Sequence, residues 1–115
     1  MHATGETTMS SFEGVRTADV NGAALAYREQ GEGEPVVFVH GSADDLRSWD
    51  QQLPAIGASY RAIAYSRRYA RPNEDIAPDA DNQTLPHVDD LVTFLQVVDA
   101  TPAHLVGHSW GALIC

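Results

Sequence analysis

Apolar residues in this chain run together, alternate with polar ones or recur at helical spacing, and each rhythm predicts an element. Val15 to Val20 and Ala23 to Arg28 flank Asn21-Gly22. Both residues of Asn-Gly accept positive φ in a type I′ turn, so the two runs are expected to pair as a hairpin. Gly31 and Gly33 mark a loop. Pro35-Val36-Val37-Phe38-Val39 is then continuously apolar, as a strand buried on both faces of a parallel sheet must be. Asp44 or Asp45 is placed to cap the next helix. Leu46, Trp49, Leu53 and Ile56 recur at helical spacing as its buried face. Pro54 is expected to kink or restart it, and Gly57 stands where a C-terminal cap would be.

Tyr60 to Tyr65 reads as the next strand. Ser66 to Gln83 is a long polar connection with Pro72, Pro78 and several aspartates, and its length marks it as functional or mobile. Thr84 is a good N-cap, with Pro86 in the first turn. Val88, Leu91, Val92, Leu95 and Val98 then form one apolar stripe. Ala103 to Gly107 is a last strand, and Ala112-Leu113-Ile114 opens a further helix. From Pro35 onward a helix-length connection separates successive strands. The fold class expected is therefore α/β: a β-hairpin followed by βαβαβ in a mostly parallel sheet.

Composition narrows the picture. A chain of 115 residues with 43% hydrophobic content has room for one packed domain. It is assigned to residues 15–115, and polar residues 1–14 to a disordered or loose tail. The net charge is −9 and lysine is absent, which argues against nucleic acid or an anionic membrane as partner. No stretch is long enough to span a bilayer, and the N-terminus has no secretory apolar region. Cys115 is the only cysteine, which fits a reducing cytoplasm. Asp75, Asp79 and Asp81 lack the glycine and terminal glutamate of a calcium loop. No Lys-Ser/Thr follows Gly31-Glu32-Gly33, so it is not a phosphate loop. Neither a metal nor a cofactor is expected.

Gly107-His108-Ser109-Trp110-Gly111 carries the chemistry. It fits Gly-x-Ser-x-Gly between an apolar strand and an apolar helix start, the setting of a nucleophile elbow. At such a turn the serine adopts a strained backbone that lifts its Oγ clear of the sheet. The residues two before and two after it approach each other, and glycine at 107 and 111 removes the clash. The free N–H groups of the following helix favour developing negative charge. A second element, His40-Gly41-Ser42, directly follows the buried strand.

VVFVHG and LVGHSWGA together resemble the α/β-hydrolase superfamily. HGSADDLRSW and AYSRRY are similar to a bacterial subgroup of serine-nucleophile hydrolases with HGS-type oxyanion loops. The resemblance runs from about Thr17 to Cys115. It implies the N-terminal part of that fold, truncated after the elbow, with Ser109 as nucleophile. The backbone N–H groups of Ser42 and Trp110 would form the oxyanion hole, each donor worth roughly 3 kcal/mol. His40 would brace the loop rather than take a proton. Serine at 109 sets the chain apart from relatives with aspartate there, such as epoxide hydrolases and haloalkane dehalogenases. The catalytic acid and histidine are expected beyond Cys115, in that order.

No local histidine is expected to serve as base. His2 lies in the tail, and His87 is expected to be solvated in the first turn of a helix. His104 starts the last strand, remote from the elbow. His108 adjoins Ser109 but points elsewhere. Arg67 and Arg68 follow a strand end, on the rim where this fold class binds ligands, and are candidates to meet an anionic substrate. Cys115 is expected to be a buried thiol without a role.

The expectation is thus a fragment of a serine hydrolase that cleaves ester or related acyl bonds of a small molecule through a seryl intermediate. It would be inactive alone. Thioesters, lactones, C–C bonds beside a ketone, and perhydrolysis are alternatives within the same fold. A non-catalytic binding module on the same scaffold is the rival from another class. Without an outer neighbour, the strand Ala103 to Gly107 becomes an apolar sheet edge, through which the isolated chain is expected to self-associate.

Overall fold

A computed structural model describes residues 12–73 and 84–115. Of the tail expected over residues 1–14, residues 1–11 lie outside the described residues, as does the part of the long connection that holds Pro78, Asp75, Asp79 and Asp81.

The strands are β1 (Arg16–Val20), β2 (Ala23–Gln30), β3 (Pro35–Val39), β4 (Arg61–Tyr65) and β5 (His104–Gly107). The helices are α1 (Gln52–Gly57), α2 (Thr84–Val97) and α3 (Trp110–Ile114), with a 3-10 turn over Leu46–Trp49. Asn21 and Gly22 both take positive φ, 50° and 85°, so the hairpin closes through the turn type its sequence demands. The sheet is mixed, in the order β1-β2-β4-β3-β5. β3 pairs in parallel with both β4 and β5, whereas the hairpin joins antiparallel through β2 and β4. A hairpin followed by βαβαβ is the order of elements expected from the sequence.

Strand alternation divides the core between two faces. On one, Val37, Val39, Ile63 and Tyr65 pack under α2 and α3 through Leu91, Phe94, Val98 and Ile114. On the other, Val36, Phe38, Ala62 and Ala64 meet Leu46 and Leu53, flanked by Trp49 and Ile56. Phe12 and Val15 also pack on this second face. The Arg47 guanidinium lies 4.2 Å from the Phe12 ring centroid, so residues 12–14 are attached to the domain they precede.

The single helix expected after Asp44 or Asp45 divides in two. Asp45 is the cap, its carboxylate accepting from the Arg47 N–H at 2.9 Å. The 3-10 turn ends at Trp49, and α1 restarts with Pro54 as its third residue. The first turn of a helix leaves its N–H groups unbonded, so proline is tolerated there.

In α2 the apolar stripe needs correction. Val92 is 51% exposed, and Phe94 is fully buried in its place. The Phe94 ring stacks on Tyr65 at 4.7 Å and meets Tyr27 edge-on at 5.5 Å. Seating that ring turns the row 87-91-94-98 inward and Val92 outward. Phe94→Ala is expected to destabilise the chain by about 3 to 5 kcal/mol, whereas Val92→Ala should stay within about 0.5 kcal/mol. Urea denaturation of the two variants checks the assignment.

Candidate active site

Two loops leave the same end of the sheet side by side. β3 stops at Val39 opposite Gly107 of β5, and the His108 N–H extends the ladder to the Val39 carbonyl at 3.1 Å. Ligands of open α/β sheets bind at this kind of place, where neighbouring connections diverge from the strand ends.

Ser109 takes φ 59° and ψ −126°. A side-chain-bearing residue is strained there and is held only by its surroundings. Its side chain makes no capping bond to α3, and the residue is exposed. The flanking glycines are sterically required. A Cβ on Gly107 would lie 2.7 Å from the Ala112 nitrogen, and one on Gly111 would strike the Val39 carbonyl oxygen. Gly41 faces the elbow from the other loop. A Cβ there would approach the Ser109 Cβ to 3.0 Å and its Oγ to 3.5 Å. The structure thus brings Gly41, Gly107, Ser109 and Gly111 together. Ser42 follows Gly41 on the exposed side, and Trp110 follows Ser109, half-buried.

Beneath the loops lies a buried polar cluster. His40 is 1% exposed. Its Nε2 accepts from the Arg67 backbone N–H at 2.9 Å, so Nδ1 carries the proton and donates to the Gly41 carbonyl at 2.8 Å. Burial, with the Arg67 charge beside it, lowers the His40 pKa from 6.5 to about 4. The ring is neutral, with both nitrogens committed.

Arg67 is turned inward, 2% exposed. Its guanidinium donates to the carbonyls of Gly41 at 2.9 Å and His40 at 3.2 Å, and lies 4.8 Å from the Trp110 ring centroid. Arg68 grips both oxygens of Asp90 at 2.8 and 3.0 Å. Arg67 does not stand on the rim as expected, because it finds internal acceptors, whereas Arg68 is half-buried and paired with Asp90.

His87 is likewise not solvated. It is 1% exposed, with Nε2 3.2 Å from an Arg67 nitrogen and its ring edge-on to Trp110 at 5.4 Å. The signal that could have found it was its spacing, one helical turn before Leu91 on the buried row. His104 sits at the far end of β5, exposed, 3.0 Å from Glu34. Cys115 is exposed rather than buried, because Ile114 takes the inward position at the end of α3. Among the described residues, no three His, Cys, Asp or Glu side chains gather as a metal site, and no helix is long and apolar enough to cross a membrane.

Residues 36–115 match the model of a family described as the alpha/beta hydrolase family. The chain is 43% identical over 105 residues to an epoxide hydrolase of Caballeronia sordidicola, covering 86% of this chain and 31% of that protein. It is 38% identical over 92 residues to a putative non-heme bromoperoxidase of Mycobacterium tuberculosis, covering 78% and 34%. An epoxide hydrolase structure from Vigna radiata superposes with a TM-score of 0.81 at 32% identity, over 87% of this chain and 32% of that one. The chain spans about a third of the length of these relatives.

The neutral His40 makes stability depend on pH. An unfolded chain takes up a proton at this histidine near pH 6.5, the folded one only near pH 4. Between those values the unfolded state binds more protons, so stability falls as pH falls. The loss attributable to His40 should approach about 3 kcal/mol at pH 4. Urea titrations at pH 7 and pH 4 should show it, and His40→Gln should flatten that part of the slope.

Proposed function

Because the chain belongs to the alpha/beta hydrolase family, we propose that it carries the nucleophile portion of a serine hydrolase acting on ester or related acyl bonds. The observation that carries this reading is the strained, exposed Ser109 set against Gly41. In the proposed reaction the Ser109 Oγ attacks the substrate carbonyl, and its proton passes to a histidine base. The oxyanion is received by the backbone N–H groups of Ser42 and Trp110. Collapse expels the alcohol and leaves a seryl ester, which water hydrolyses.

The choice of acyl groups over epoxides follows from the nucleophile. A serine hydroxyl that opened an epoxide would leave an ether, with no carbonyl for water to attack. A carboxylate doing the same leaves an ester, which water can cleave. Serine at 109 therefore supports acyl transfer despite the likeness to proteins named epoxide hydrolases. Likeness to a putative bromoperoxidase favours a second reading within the same chemistry: hydrogen peroxide in place of water as acceptor, releasing a peracid. The substrate proposed is a small acyl compound, and the compartment is the cytoplasm, supported by a lone cysteine. A binding module would have no need of a strained serine.

Six residues follow Ser109, none of them acidic or histidine, so these 115 residues by themselves should not turn over esters. Leu105 and Val106 of the outermost strand are 37% and 38% exposed, which supports self-association of the isolated chain along β5. Sedimentation velocity should show oligomers at micromolar concentration, and a strictly monomeric boundary would remove this part of the proposal. In the full-length protein, Ser109→Ala should lower kcat for an acyl ester by on the order of 10⁴ to 10⁶ and abolish labelling by an alkyl fluorophosphonate. A loss below about tenfold would sink the assignment.

A further inference from the structure

We propose that Arg67 is a positioning residue that aims and strengthens the oxyanion donor at Ser42, an inference that rests on the serine-hydrolase reading above. The Gly41 carbonyl and the Ser42 N–H are opposite ends of one planar peptide. Three donors hold the carbonyl end: Arg67 Nη2 at 2.9 Å, His40 Nδ1 at 2.8 Å and the Asp44 N–H at 3.4 Å. In a trans peptide the N–H points opposite to the C=O. Fixing the oxygen toward the buried side therefore turns the Ser42 N–H away from it, toward the exposed side where Ser109 stands.

Arg67 also controls the second donor on that carbonyl. Its backbone N–H occupies His40 Nε2 at 2.9 Å, which forces the imidazole proton onto Nδ1, the atom that meets Gly41. Its Nε holds the His40 carbonyl at 3.2 Å. The other side of the guanidinium faces the Trp110 ring at 4.8 Å, and Trp110 supplies the second oxyanion donor. One side chain thus touches the supports of both. His87 Nε2, 3.2 Å from Nη1, fixes the plane of the fork.

Charge adds to orientation. A cation on a peptide oxygen draws electron density from the amide and makes its N–H a better donor. Arginine remains charged at every working pH, and a buried charge acts through a medium that screens it weakly. Lysine cannot take its place, because a point charge cannot meet two carbonyls and an indole face in one plane.

The test uses the full-length protein with p-nitrophenyl acetate as substrate and a boronic acid as mimic of the tetrahedral adduct. Arg67→Met should lower kcat about a hundredfold, the scale of one lost oxyanion donor, with KM within about twofold. Affinity for the boronic acid should fall in parallel with kcat. Arg67→Lys should recover no more than a tenth of the loss, and it carries the test if the methionine variant does not fold. A folded variant that keeps kcat within about threefold overturns the proposal, as does a kcat loss without weaker boronic acid binding. Wild-type protein that fluorophosphonate fails to label at Ser109 overturns the hydrolase reading and this inference with it. Labelled wild type with unimpaired Arg67 variants overturns this inference alone.

Discussion

The parallel pairing of β3 with β5 is the constraint on which the site depends. It sets Val39 opposite Gly107, so the chain turns away from the sheet at the same level in both strands. The close approach of α3 to the end of β3 follows from it, since no side-chain atom fits between Gly111 and the Val39 carbonyl. The strained backbone of Ser109 is then what remains when strand, glycine contact and helix start are all fixed. Packing of Ile114 with Leu91 and Phe94 over Val39 and Tyr65 secures the helix from below. A strained conformation persists where its surroundings over-determine it, and here the surroundings are a sheet register and a contact without slack.

The second layer is polar and buried, an unusual place for an arginine. Arg67 is satisfied there by main-chain carbonyls and enclosed by two histidines and an indole. Such an arrangement is sensitive to the removal of any member, because the others lose partners that water cannot replace. It also explains why His40 stays neutral. A second positive charge there, out of reach of solvent, is disfavoured first by desolvation and then by repulsion from the guanidinium.

Much of this was legible in the sequence, and what was legible had local causes. Asn21-Gly22 dictates its own turn, the run Val36 to Val39 declares burial on both faces, and the pattern around Ser109 states strand, turn and helix within one short stretch. What escaped depends on partners distant in sequence. Arg67 reads as a rim residue until the carbonyls of Gly41 and His40 come within its reach. His87 reads as solvated until α2 settles against Trp110. Val92 read as part of the core stripe and Phe94 did not, and the rings of Tyr65 and Tyr27 decide for Phe94. The break after Trp49 had a local mark in Pro54, whereas the packing of Trp49 on Phe38, their rings 4.9 Å apart, joins residues distant in sequence. Cys115 looked buried because its neighbours are apolar, and only the direction of Ile114 shows otherwise.

The facing of Gly41 and Ser109 has a bearing on which side chains this scaffold can carry at either position. A hydrogen on Gly41 is all that separates the two loops, with the serine Cβ and Oγ just beyond it. The gap works as a calliper set to the length of one side chain. An aspartate at 109 would carry its terminal oxygens one bond further from the same Cα than the serine Oγ lies. A change that lengthens the side chain at 109, or adds one at 41, is therefore felt by the opposite loop.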